Sequence, residues 1–298
     1  MTPVAAPAAD PAGAAFRHYL DMAAGRPGSW RPAVGVLAVL AGWLIVGTVL
    51  SAATGGLALR GGSPAGVALL LGSFGGIWLG LAVALRALHG RGLASLWGGA
   101  AGRRWRGLAL GAGIGAGLHA ATALLALPLA GLPGRSALAL ADWAAWLPLL
   151  ALGVALQAGA EEAVFRGYLV QEIGRRLRHP LAWAVLPSAL FGALHYAPHL
   201  PGWSALAYVA VSFLFGLSAS LLVWRFGGLA AAFGLHAAIN FLGLTVAGLD
   251  GVAAGAQLWL YDAGRAEALL AADLVVSAAL LGGLWWCLGP AASRRAAA

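Results

Sequence analysis

The stretch WAAWLPLLALGVALQAGAEEAVFRG, Trp143 to Gly167, decides how the chain is read. From Trp143 to Gly159 it is oily, and Gln157 is the one uncharged side chain with a strong demand for hydrogen bonds. Two carboxylates, Glu161 and Glu162, follow, and Arg166 lies four residues after the second. A charge at membrane depth costs about 2.5–3.5 kcal/mol on insertion scales, so charges kept there usually serve a function. On a helix Glu162 and Arg166 share a face at i,i+4 and neutralise each other. Glu161 points about 100° away around the same helix and is left without that partner. The second glutamate is expected to be structural and the first available.

The bulk composition agrees. Of 298 residues, 61% are hydrophobic and 9% charged, against about 25% charged in a soluble domain. The mean hydropathy of +0.85 marks an integral membrane protein. The net charge is +8 and every basic residue is arginine, in a chain rich in Ala and Gly, a bias that points to a bacterial host and its plasma membrane. The arginines are scattered through short connections between oily runs. That pattern suits orientation in a bilayer and argues against nucleic acid as a partner. A single cysteine, Cys287, rules out an internal disulfide.

The fold class is all-α: a polytopic bundle of about eight spans, near 33–53, 65–88, 106–129, 143–169, 181–200, 203–224, 228–249 and 269–288, each near the ~20 residues needed to cross. Residues 31–290 form one transmembrane domain, with a loose or interfacial tail at 1–30 and a short tail at 291–298. Phe16, Tyr19 and Leu20 would let part of the first tail lie on the membrane surface. Arginines crowd the N-tail, the 89–106 and 170–180 connections, Arg225 and the C-tail, whereas Arg60, Arg135 and Arg265 stand on the other side. Both termini are therefore expected in the cytoplasm. Trp105, Trp143, Trp203 and Trp224 fit an aromatic belt. Gly72, Gly76 and Gly80, with Gly111, Gly115, Gly113 and Gly117, make small-residue ridges for close helix packing. Residues 250–268, with Asp250, Asp262 and Glu267 around Trp259 and Tyr261, read as an outside loop along the interface.

Three polar constellations mark the second half: Glu161, Glu162 and Arg166; Phe191 and His195; His236 and Asn240. His119 in the first half reads as a lone packed histidine. Counted from the cytoplasmic ends, Glu161 and His236 lie at matching depth. His195 falls deeper unless its helix enters late or Pro187 shifts its path. A carboxylate, two imidazoles and an amide in a low-dielectric bundle make a hydrolytic toolkit. Glutamate serves as a base for water, histidine orients the water or returns its proton, and paired donors stabilise an oxyanion. Ser188, Ser212 and Ser218 have no matching acid and base, and no HExxH zinc motif is present. Taken singly, each group has a structural reading: an ion pair, a satisfied interior histidine, an interhelical clamp.

EEAVFRG resembles the EExxxR signature of the CPBP (CAAX protease and bacteriocin-processing, or Abi) family of intramembrane proteases. FGALH, Phe191 to His195, resembles its FxxxH motif, and HAAIN, His236 to Asn240, its HxxxN motif. All three occur in order within 143–249. The resemblance implies a cavity open to the cytoplasm and bilayer, in which Glu161 activates water with help from His195. It further implies an oxyanion site at His236 and Asn240, with Glu162 and Arg166 supporting the first glutamate. Glu161, His195 and His236 would be the ligands if zinc were used. The metal-free glutamate mechanism is preferred, because Asn240 is a poor zinc ligand and a good oxyanion donor. The implied partners are membrane lipid and a peptide or membrane-protein substrate. A non-catalytic scaffold or immunity-type protein of the same fold is the alternative. A proton-coupled transporter, which also buries such residues, is disfavoured because no paired broken helices in repeated halves are visible.

Overall fold

A computed structural model describes residues 11–26, 28–57, 61–99, 101–251 and 253–289. The helices are α1 (Pro11–Asp21), α2 (Arg31–Ala53), α3 (Pro64–His89), α4 (Ala101–Ala130), α5 (Leu140–Arg176), α6 (Leu181–Leu194), α7 (Ser204–Phe226), α8 (Ala230–Thr245) and α9 (Ala266–Leu288). Six of them, α2, α3, α4, α5, α7 and α9, are long and apolar enough to cross a membrane. The other two expected spans are shorter. At about 1.5 Å per residue, α6 and α8 reach about 21 and 24 Å, less than the ~30 Å hydrocarbon core. The span expected at 181–200 ends at His195, which caps α6, because residues 196–203 are turn and coil.

The expected glycine ridges are half used. A Cβ on Gly76 would fall 2.2 Å from the Gly42 carbonyl oxygen, and one on Gly80 2.5 Å from that of Ala38, so α2 and α3 touch backbone to backbone. Gly111 and Gly115 lie in the same way against Ala231 and Leu235 of α8, whereas Gly72, Gly113 and Gly117 face open space. Without a hydrophobic drive between helices in lipid, such contacts hold the bundle by van der Waals packing.

The connections gather at two ends. At one end, α1, the 89–99 loop and the 227–228 turn meet. Tyr19 Oη donates to the Leu96 and Arg166 carbonyls, at 2.9 and 3.0 Å, and Gly98 forms an isolated bridge with Gly228. At the other end lies a three-stranded sheet of β1 (Gly134–Arg135), β2 (Ala247–Leu249) and β3 (Trp259–Tyr261). β3 is central, antiparallel to β1 and parallel to β2. Three expectations change here. Residues 11–21 form a helix, and Phe16, Tyr19 and Leu20 are buried in the main core rather than laid on a surface. The 250–268 stretch is not a plain loop: it supplies the central strand, and Tyr261 is buried beneath it. Residues 1–10, Arg60 and the tail from 290 onward lie outside the described residues.

Candidate active site

The site is built where α5 changes its winding. Leu140–Glu162 is α-helical, and the next seven residues, Ala163–Leu169, form a π-helix. Short π segments recur at functional sites, and this one begins directly after the two glutamates. Glu162 and Arg166 are fully buried and paired, with Arg166 Nη1 donating to Glu162 Oε1 at 3.2 Å. The remaining Arg166 nitrogens have no hydrogen-bond partner. Its guanidinium is instead enclosed by rings, with the Phe191 centroid 4.3 Å, Phe215 5.4 Å and Phe165 5.8 Å from Cζ, an arrangement that stabilises a desolvated cation.

His236, on α8, joins the two carboxylates. Its Nδ1 lies 2.8 Å from Glu162 Oε1, and its Nε2 lies 3.5 Å from Glu161 Oε2. The second contact is within ion-pair distance but not hydrogen-bonded, and Glu161 Oε2 is buried without a hydrogen-bond partner. A carboxylate only accepts, so Nδ1 carries a proton.

His195 caps the end of α6, and its Nδ1 lies 2.7 Å from the Phe191 carbonyl oxygen. A carbonyl only accepts, so Nδ1 donates and, in the neutral ring, Nε2 holds the free lone pair. Phe191 packs between the two histidines, its centroid 4.4 Å from the His195 ring and 5.9 Å from that of His236. His195, His236 and Asn240 line one cavity of about 110 Å³. Asn240 Nδ2 donates to Gln157 Oε1 at 2.8 Å, so the lone polar side chain of the oily run orients the amide.

All six expected residues, Glu161, Glu162, Arg166, His195, His236 and Asn240, come from α5, α6 and α8, and the structure gathers them around this cavity and the glutamate pair. Among the described residues, no three His, Cys, Asp or Glu side chains converge as a metal would require, and both His236 nitrogens are turned to the glutamates. Sequence reasoning missed Phe215 and Tyr208, aromatics on the apolar helix α7 with no charged residue or histidine within a turn to mark them. It also missed the support beneath Arg166. There Glu172 Oε1 pairs with Arg91 Nη2 at 3.0 Å, and Glu172 Oε2 with Arg176 Nη1 at 2.7 Å. Gln171 takes a hydrogen bond from Arg91 at 2.7 Å and donates to the Tyr19 carbonyl at 3.1 Å. Burial lowers the pKa of Arg91, with Glu172 opposing the shift, and burial raises that of Tyr19.

Comparison with known proteins points to the same segment. A protein of Bacillus subtilis (strain 168), described as uncharacterized protein YyaK, is 34% identical over 105 residues. The match covers 32% of this chain and 32% of the relative, so the chain spans about a third of that protein's length. No solved structure matches. The family model described as type II CAAX prenyl endopeptidase Rce1-like matches residues 142–242, about a third of the chain. The segment that is similar to this family, residues 142 to 242, carries Glu161, Glu162, His195, His236 and Asn240.

Proposed function

We propose that the chain is an intramembrane peptidase that hydrolyses a peptide bond with water activated by Glu161. The observation that carries this reading is the chain of contacts from Arg166 through Glu162 and His236 to Glu161, whose last member has no cation of its own and meets His236, a residue of the polar cavity wall. A fixed charge network that ends on such a base is suited to take a proton from water. Glu162, neutralised through Oε1 by Arg166 and held by His236, is not.

Each group then has a task. Glu161 accepts a proton from the attacking water as its oxygen bonds to the substrate carbonyl carbon. His195 Nε2, fixed by the bond from Nδ1 to Phe191, orients that water. Asn240, held by Gln157, donates to the oxyanion with its remaining N–H. His236, fixed by its Nδ1 contact with Glu162, keeps the base in place. As the tetrahedral intermediate collapses, the C–N bond breaks and the proton passes from Glu161 to the leaving amine. No step is routed through a metal, and activity is expected to survive chelation. The arginine-rich end of the bundle is placed in the cytoplasm, with α6 and α8 completing eight crossings and the cavity reached from that side.

Positioned acid–base groups contribute about 10²–10⁴-fold. Glu161→Gln should therefore lower cleavage by at least about a hundredfold while leaving the unfolding temperature of the purified protein close to the parent's. Comparative peptidomics of membranes carrying either form reads the loss directly. Equal peptide profiles from the parent, Glu161→Gln, His195→Ala and His236→Ala would end the enzymatic reading.

A further inference from the structure

The cavity beside the glutamates has a wall that none of the three motifs supplies. Opposite His195 and Asn240 stand Tyr208 from α7 and Asp273 and Ser277 from α9. Asp273 is a carboxylate within an apolar spanning helix, a position that is costly and normally functional. Its Oδ1 accepts from Thr122 Oγ1 at 3.1 Å and from Ser277 Oγ at 3.4 Å. Both donors are neutral, so they satisfy one oxygen and leave the charge uncompensated.

The other carboxylates inside the bundle are treated differently. Glu162 has Arg166 and His236, Glu161 faces His236, and Glu172 has Arg91 and Arg176. Among the described residues, none forms an ion pair with Asp273, and both hydrogen bonds it accepts end on Oδ1. The cavity it lines, about 110 Å³, has room for several waters or a substrate side chain, since about 10–15 Å³ of probe volume suffices for one water. Asp273 is half-buried and has no cation of its own, so a cation that arrives with the ligand would find an acceptor there.

We propose that Asp273 binds the cationic side chain of a lysine or arginine that flanks the scissile bond, making it a specificity-determining residue of the site. This rests on the peptidase reading above, and it names a substrate class: an apolar, membrane-embedded peptide with one basic residue near the cut. The bound ammonium or guanidinium would donate to Oδ2, while Thr122 and Ser277 hold the carboxylate from the other side.

The test uses the full chain in lipid nanodiscs, in a Glu161→Gln background so that peptides are bound and not cut. The probes are N-acetylated apolar peptides carrying a single lysine at successive positions, each with a norleucine counterpart, so the side chain is the only cation added. In at least one register the lysine peptide should bind about tenfold tighter or more, the scale of a hydrogen bond to a charged group. Asp273→Asn should erase that preference, and Asp273→Glu should retain part of it. Equal binding of lysine and norleucine peptides in every register overturns the proposal on the parent background alone, whether or not the Asp273 variants fold. So does a preference that persists in Asp273→Asn. Cleavage of the preferred peptide by the chain with Glu161 intact is read separately by mass spectrometry. Asp273-dependent binding without cleavage would sink the peptidase reading and leave the cation site standing.

Discussion

Arg166 shows most sharply what a single residue does in this bundle. Its guanidinium is fully buried, meets one carboxylate, and is otherwise surrounded by the rings of Phe165, Phe191 and Phe215. Removing one partner of a buried pair leaves the other charge uncompensated and costs about 3–5 kcal/mol, whereas replacing both partners can be nearly neutral. Arg166→Met should therefore lower the unfolding temperature in detergent more than the double change Arg166→Met with Glu162→Gln. A double variant at least as unstable as the single would show that the pair is not the source of the cost. Gly216 guards the same guanidinium. A Cβ there would sit 2.9 Å from Arg166 Nη2 and 2.8 Å from Ser188 Cβ, so Gly216→Ala should destabilise the fold by about 1–3 kcal/mol through overpacking. A thermal melt matching the parent's would mean the site relaxes freely. At this scale much was legible in the sequence, because charges and imidazoles stand out in an oily run at i,i+4 spacing. Asp273 and Thr122 were not. They lie on helices far apart in the chain, and only the packing of α4 beside α9 brings them together.

α1 is an element that the sequence undersold. Eleven residues with three large apolar side chains, Phe16, Tyr19 and Leu20, looked too short to do more than rest on a surface, yet Tyr19 reaches into the π-helical segment and donates to the Arg166 carbonyl. Burial holds the Tyr19 phenol protonated above its ordinary range. An unfolded tyrosine releases its proton near pH 10. Above that pH the unfolded chain binds fewer protons at this position than the folded one, so stability falls as pH rises. The contribution is fully present below about pH 10 and is lost progressively above it. Melting curves between pH 8 and 11 should show a shallower alkaline loss for Tyr19→Phe than for the parent, along with a loss of about 1 kcal/mol at neutral pH from the missing hydrogen bonds. Parallel curves in the alkaline range would place the titration elsewhere. The strands explain a different omission. Segments of two or three residues carry no period that a sequence can display, and β3 exists only because β1 and β2 arrive on either side of it.

Across the whole molecule, the arginine pattern and the coordinates converge on one arrangement from different directions. Arg91, Arg104, Arg175 and Arg176 stand at the end of the bundle where α1 packs, while Arg135 and Arg265 stand with the small sheet at the other. There Arg135 donates to the Leu258 carbonyl at 3.1 Å, and Arg265 donates to that of Ala130. The span count was less legible than this polarity. α6 and α8 are shorter than the hydrocarbon is thick, and hydropathy alone cannot show that α6 stops at His195 to present it to the cavity. Helices too short for the bilayer are accommodated by local thinning or by oligomerisation, so helix length alone does not fix the number of crossings. Cysteine labelling tests the polarity. With Cys287→Ser as background, Ala94→Cys and Ala137→Cys mark exposed positions at the two ends. A membrane-impermeant maleimide applied to intact cells should modify Ala137→Cys and spare Ala94→Cys, and inverted vesicles should reverse the pattern. Labelling of both from one side would mean that the two ends do not face opposite compartments. It would also remove the cytoplasmic approach to Glu161 on which the proposed route of the substrate depends.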